Sequence, residues 1–178
     1  LKHVEEMIGD GADVIDIGGE STRPGYTKIS DDEETGRVVP VIEAVKKEFG
    51  IPISVDTYKS GVAEAAAQAG ADLINDIWGL KYDPHMSEVI AKSGLACCLM
   101  HNRDNTEYRN FMEDMKQDLR ETIALAKAAG IADDKIILDP GVGFAKSYEN
   151  NLEVISHLKE FNELQYPMLV GTSRKSVI

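Results

Sequence analysis

The feature that most restricts how these 178 residues can fold is a regular alternation of two kinds of segment. Short apolar runs rich in β-branched residues recur at 12–18, 51–56, 71–77, 95–101, 135–139 and 167–171. Runs that are apolar almost throughout read as strands buried on both faces, the state of strands in a parallel sheet covered by helices. Between them helices are expected at 1–9, 31–49, 58–69, 84–93, in 102–129 after a polar loop, at 148–158 and from 172 onward. In the second helix Val38, Val41, Ile42 and Val45 recur at helical spacing, and Pro40 is expected to mark a kink or a restart. Gly70 and Gly94 stand where helices stop. The strands fall about 25–40 residues apart, the size of a βα unit.

No dinucleotide-binding G-x-G-x-x-G and no visible switch point argue for an open sheet, so a (β/α)8 TIM barrel is preferred. A barrel needs eight units, and about six are legible. Residues 1–178 therefore read as a single barrel domain, incomplete at both ends, with no linker or low-complexity tract.

Composition excludes some partners. Net charge is -12 and the pI about 4.7, which argues against general binding to nucleic acid or to an anionic membrane. No run approaches the ~18–20 apolar residues of a membrane span, and residues 1–10 read as an amphipathic helix rather than a signal peptide. Cys97 and Cys98 are adjacent inside an apolar run, a poor disulfide framework. They read as reduced core residues of a cytoplasmic protein.

Polar residues gather at the ends of the strands: Asp16, Asp56, Asn75 with Asp76, His101, Asp139, and Thr172 with Ser173. In a parallel barrel all these ends lie at one mouth, where such folds place their chemistry. A single acid there is usually a helix cap; a ring of them reads as a functional rim. Carboxylates and an Asn suit a neutral heterocycle that donates paired N–H groups. Lys175 can donate to a ring oxygen or nitrogen, and Gly141-Val142-Gly143-Phe144 offers close backbone approach with an aromatic wall. Thr172-Ser173-Arg174-Lys175-Ser176 reads as a helix start whose free N–H groups favour an anion. After the first strand, Gly18-Gly19-Glu20-Ser21-Thr22-Arg23-Pro24-Gly25 reads as a loop. Its glycines permit positive φ and close approach to a ligand, and Thr22 and Arg23 can bind an anion.

Other residues read more plainly. His101 is expected to be hydrogen-bonded within the rim rather than a metal ligand, because the four histidines show no ligand spacing. Met112, Met115, Leu119, Ile123 and Leu125 read as a stripe facing the core. Asp31, Asp32, Glu33 and Glu34 read as a solvated face or helix start.

Taken in order, Asp16-Ile17-Gly18-Gly19-Glu20-Ser21-Thr22-Arg23-Pro24-Gly25, Ser54-Val55-Asp56-Thr57, Ile74-Asn75-Asp76-Ile77, Met100-His101, Asp139-Pro140-Gly141-Val142-Gly143-Phe144 and Gly171-Thr172-Ser173-Arg174-Lys175-Ser176 resemble the successive blocks of the dihydropteroate synthase family. These are the folate-pathway enzymes blocked by sulfonamides, and the resemblance spans essentially the whole chain. It implies a Mg²⁺-assisted condensation of 6-hydroxymethyl-7,8-dihydropterin pyrophosphate with p-aminobenzoate, giving 7,8-dihydropteroate and pyrophosphate. The implied pterin pocket is Asp56, Asn75, Asp139 and Lys175, lined by Met100, Gly143, Phe144 and Gly171. The implied p-aminobenzoate site is Thr22, Arg23, Pro24, Phe144, Ser173 and Lys175. Asp56, Asp139 and Lys175 are the implied catalytic residues, with residues 19–27 ordering the second substrate. A homodimer is also what the family implies.

The resemblance has gaps. The family's first strand, with an Asn for Mg²⁺ and pyrophosphate, has no counterpart here, nor does the last strand with its Arg and His. The chain as given is not expected to close a barrel or to turn over by itself. Two other readings stay open: a pterin-binding methyltransferase of the methyltetrahydrofolate type, and a noncatalytic pterin-binding fragment or subunit.

Overall fold

The structure, a computed structural model, describes residues 1–22 and 27–175. Helix α1 (Lys2–Gly9) leads into β1 (Ile15–Gly18), and then helix and strand alternate. They are α2 (Asp31–Glu48), β2 (Ile53–Asp56), α3 (Ser60–Ala69), β3 (Leu73–Asp76), α4 (Met86–Ser93), β4 (Ala96–Met100), α5 (Phe111–Ala128), β5 (Ile136–Asp139) and α6 (Tyr148–Ser156), with 3-10 turns at Asp133–Lys135 and Leu158–Leu164. All neighbouring strands are parallel, and the order β1-β2-β3-β4-β5 follows the chain without reversal. That one-way winding is the pattern of a (β/α)8 barrel, not of a doubly wound sheet with a switch point.

Local chemistry sets the helix limits. The Ser30 side chain accepts from Glu33 N–H at 3.2 Å and caps α2, whose first turn is acidic and whose last turn carries Lys46 and Lys47. Gly70 and Gly94 end α3 and α4 in the left-handed conformation. Ser147 and Asn150 form a reciprocal capping box on α6. The expected restart at Pro40 does not occur: α2 runs through it. The carbonyl left without a donor belongs to Gly36, which adds no side chain to the crowding there.

The strands are not uniformly covered on both faces. Ile15, Ile17, Ile53, Val55, Ile74, Cys97, Leu99, Ile136 and Leu138 point outward and form one core with Val38, Ile42, Val45, Val62, Ile90, Met115 and Leu119 of the helices. The other face is mixed, as the alternating burial of β1 and β3 shows. Side chains alternate along a strand, so that second face holds Asp16, Asp56, Asn75, Met100 and Asp139.

Three expectations change. The run at 167–171 makes only an isolated parallel bridge, Leu138 to Met168, because Pro167 has no N–H to extend a ladder. In α5 the buried line passes through Met112, Met115, Leu119, Thr122 and Ala126, leaving Leu125 43% exposed. Glu34 is not solvated but buried on the core side of α2, in phase with Val38 and Ile42. Cys97 and Cys98 are free and fully buried, and burial pushes the Cys97 thiol up to about 12. No described helix is long and apolar enough to cross a membrane.

Candidate functional site

The register collects the polar strand ends. Gly18 pairs with Asp56, Asp56 with Asn75, and Met100 with Asp139. In-register neighbours project to the same side, so Asp56, Asn75, Met100 and Asp139 share the inner face at the carboxyl ends of β2 to β5. Asn75 Nδ2 donates to Asp16 Oδ2 at 3.5 Å. Asp56 is the least satisfied of the group: its Oδ1 is buried and has no hydrogen-bond partner. Burial, and then the carboxylates of Asp16, Glu34, Asp76 and Glu20, push Asp56 up to about 7. A carboxyl so placed calls for donors from outside the protein.

Asp76, next in sequence to Asn75, does something else. Its side chain lies on the opposite face, 1% exposed, and accepts from Trp78 N–H at 2.8 Å and Leu80 N–H at 2.7 Å. It braces the turn after β3 and belongs to the scaffold.

A second group forms around Lys175. Its ammonium donates to the Val142 carbonyl and lies 4.8 Å from the centre of the Phe144 ring. Cβ atoms built on Gly143 and Gly171 would stand 3.3 Å from Lys175 Cδ and 3.8 Å from its Nζ, so both glycines border this side chain. Burial lowers the Lys175 ammonium, opposed by the Asp139 charge. Asp139 accepts from Gly141 N–H at 2.7 Å; burial raises it, opposed by that hydrogen bond and by the Lys175 and Lys146 charges. Phe144 and Met100 join Tyr58, Ile77 and Trp78 in one apolar wall. Six of the expected pterin residues therefore fall into one group, Met100, Asp139, Gly143, Phe144, Gly171 and Lys175, with the other two, Asp56 and Asn75, beside it on the same inner face.

The expected second-substrate residues are less assembled. Arg23 and Pro24 lie outside the described residues, as does Ser176. Thr22 is half-buried and Ser173 exposed, and neither is hydrogen-bonded to the Lys175 group among the described residues. Residues 172–175 are not helical, and the rest of that expected helix, 176–178, lies outside the described residues. Residues 172–175 make a turn closed by Lys175 N–H to Thr172 O at 3.3 Å, and Arg174 has φ 57°, which interrupts helical geometry. Gly18 and Gly19 also differ from expectation: neither has positive φ. A Cβ on Gly19 would come within 2.9 Å of both Glu34 Cγ and Val38 Cγ1, so the backbone there packs closely on α2.

Two polar networks, one half-buried and one buried, are not legible in the sequence. In the first, Lys146 Nζ donates to the carbonyls of Gly141 and Phe144, each at 2.9 Å, and faces His101 Nδ1 at 3.0 Å. His101 Nε2 meets Asp118 Oδ2 at 2.9 Å, and Arg103 donates to the same oxygen at 2.6 Å. Burial lowers His101 to about 4, so the ring is neutral at pH 7: Nδ1 accepts from Lys146 and Nε2–H donates to Asp118. The expected hydrogen-bonded histidine is what the structure contains. In the second network, Lys59 Nζ donates to Glu34 Oε2 at 2.7 Å, Ile29 O at 2.8 Å and Glu20 Oε2 at 2.9 Å. Tyr58 O–H donates to the other Glu20 oxygen, and Ile29 N–H to Oε2 at 2.7 Å. Glu34 had a readable signal, its place in the apolar phase of α2; Lys59 and Lys146 had none.

Comparison with known proteins agrees with this geometry. The model of the family described as "Pterin binding enzyme" matches residues 1–178. A dihydropteroate synthase of Clostridium beijerinckii is 62% identical over 178 residues, which are 100% of this chain and 66% of that protein. A crystal structure of the Clostridium difficile dihydropteroate synthase in the presence of pteroic acid superposes with a TM-score of 0.97 at 50% identity, covering 99% of this chain and 67% of that one. The Xanthomonas albilineans dihydropteroate synthase with 4-aminobenzoic acid gives a TM-score of 0.95 at 40% identity, covering 99% and 64%. The chain thus spans about two thirds of its relatives' length, 66% in the Clostridium beijerinckii case. With a family model matched from end to end and relatives this similar, the chain belongs to the pterin-binding enzyme family, among the dihydropteroate synthases.

Proposed function

We propose that this chain carries the pterin pocket and much of the p-aminobenzoate site of a dihydropteroate synthase acting in the cytoplasm. One observation carries the reading furthest: the buried Asp56 Oδ1 without a partner, on the same inner face as Asn75 and Asp139. A pterin ring presents an amino group and ring N–H groups on adjacent edges, and carboxylates with an amide between them match that pattern. The relatives solved with pteroic acid and with 4-aminobenzoic acid support both halves of the assignment.

In the proposed reaction the carbon–oxygen bond between the pterin's exocyclic methylene and pyrophosphate breaks, and its electron pair leaves with the pyrophosphate. The arylamine lone pair forms the new carbon–nitrogen bond, and the amine then loses a proton. Positive charge developing on the pterin methylene is delocalised into the ring, where the Asp56 and Asp139 carboxylates favour it. Lys175, held by the Val142 carbonyl and over Phe144, donates to the ring edge. Phe144 forms a wall shared by both substrates, and Thr22, Arg23, Pro24 and Ser173 take the benzoate end. No covalent bond to the protein is needed.

Mg²⁺ is a family expectation here. Among the described residues no three His, Cys, Asp or Glu side chains come together as a metal site, and no step above runs through the ion. A homodimer remains a family expectation. Pyrophosphate release that depends on p-aminobenzoate, measured on the complete polypeptide as its source makes it, tests the proposal. Methyl transfer from a methylated pterin without pyrophosphate release would place the chain among the methyltransferases instead.

A further inference from the structure

We infer that Lys59 is a positioning residue for the second substrate: its side chain ties both roots of the 20–29 loop to helix α2 and so fixes where Thr22 stands at the mouth of the barrel. The inference rests on the functional reading above. Three facts lead to it. All three Lys59 donors are used, and two of them go to the opposite ends of one loop, Glu20 at its start and Ile29 at its close. The third goes to Glu34 on α2, an element held by the main core. Arg37, from the same helix, donates to Gly19 O at 2.8 Å and anchors the loop one residue earlier.

The cluster is poorly suited to a purely stabilising role. The Lys59, Glu20 and Glu34 side chains are 9%, 3% and 2% exposed, so three charges are out of water with a net charge of one negative. Apolar side chains of similar volume would fill the space at no less stability, whereas charged hydrogen bonds fix direction. Directional fixing matters where a loop must carry a ligand-binding residue. Thr22 is two residues from Glu20, while Asp139, Gly143 and Lys175 lie on other elements and share no hydrogen bond with Lys59 among the described residues. Tyr58 bridges the two sides: its hydroxyl holds Glu20 and its ring packs in the wall with Met100 and Phe144.

The test is steady-state kinetics with each substrate varied in turn, on the complete polypeptide. Lys59→Met combined with Glu34→Gln removes the cation without leaving two opposed buried carboxylates. We expect the KM for p-aminobenzoate to rise about tenfold or more, as displacement of a positioning group by an ångström does. The KM for the pterin pyrophosphate should change less, since the cluster reaches that side only indirectly, through the charges of Glu20 and Glu34 on Asp56 and through Tyr58. Lys59→Arg, which keeps a cation, should recover most of the loss. If the double variant does not fold, Glu20→Gln keeps the side-chain shape and should show the same split, smaller in size. Equal rises in both KM values, or no change in either in a folded variant, would overturn the inference. No p-aminobenzoate-dependent turnover in the unsubstituted protein would instead overturn the functional reading on which it rests.

Discussion

Asp56 should make the protein less stable so that it can bind its ligand. Its carboxyl is raised from 3.8 to about 7 by burial and by the charges of Asp16, Glu34, Asp76 and Glu20. The folded state therefore holds a proton that the unfolded chain has already released. Stability from that proton is fully present below pH 3.8 and is lost as the pH rises through about 7. Taken at face value the difference corresponds to about 4 kcal/mol. The residue is only partly covered, and solvent screening brings the expected effect nearer to about 2 kcal/mol. Asp56→Asn removes the titration while keeping the shape. In urea unfolding the Asn variant should gain on the parent by about 2 kcal/mol between pH 5 and pH 8. The same variant should bind pterin at least about tenfold more weakly, having lost a charged acceptor. A stability difference that does not change with pH would refute the reasoning, because it would mean that Asp56 is not held protonated by the fold.

Other parts of the site give equally direct expectations. Asp139→Asn should abolish tight pterin binding in calorimetry, while Arg23→Ala should mainly raise the KM for p-aminobenzoate; unchanged values would contradict the respective assignments. Gly141 has φ 67°, and a Cβ there would lie 2.1 Å from the His101 carbonyl oxygen. Gly141→Ala should therefore cost about 3 kcal/mol or more in denaturant unfolding, and a loss below about 1 kcal/mol would show that the turn can shift freely. Lys146→Met leaves the carbonyls of Gly141 and Phe144 without their shared donor. It should cost about 2 kcal/mol of stability and weaken pterin binding more than p-aminobenzoate use, as the paired KM values will show.

How much of this could be read from the sequence follows from which signals are local. The strand ends are legible because apolar runs stop at polar residues, so the sequence pattern alone puts Asp56, Asn75 and Asp139 at one mouth. The choice between Asn75 and Asp76 was legible in principle too. Ile74 must face the helices, and side-chain alternation then turns Asn75 inward and Asp76 outward. The run at 167–171 was over-read because apolar content marks burial, while a ladder also needs donors, and Pro167 lacks one. The partners of Lys59 and Lys146 were out of reach. Glu20 is 39 residues from Lys59, His101 is 45 from Lys146, and nothing in the local composition marks either pairing.

Lys59 and Lys146 occupy matching positions in the design of the rim. Each follows a strand of the barrel, Lys59 after β2 and Lys146 after β5, and each uses its ammonium on backbone carbonyls of a loop. Lys59 serves the loop that bears Thr22; Lys146 folds the turn that bears Gly143 and Phe144. Apolar contacts cannot do this, because they fix a segment's depth but not its direction, and a loop carbonyl left inside without a donor is costly. A binding rim made of loops on a parallel barrel thus needs buried donors of its own, placed just outside the ligand pocket. Burial lowers Lys146 to about 7, opposed by the charges of Asp139 and Asp118, and its nitrogen faces the neutral His101 ring and two carbonyls, all acceptors. The acids that face the pterin and the lysines that hold the loops are therefore distinct groups coupled through charge, as Lys146 is to Asp139, and substitutions in the second should move affinity for one substrate more than for the other, whereas substitutions in the first remove chemistry altogether.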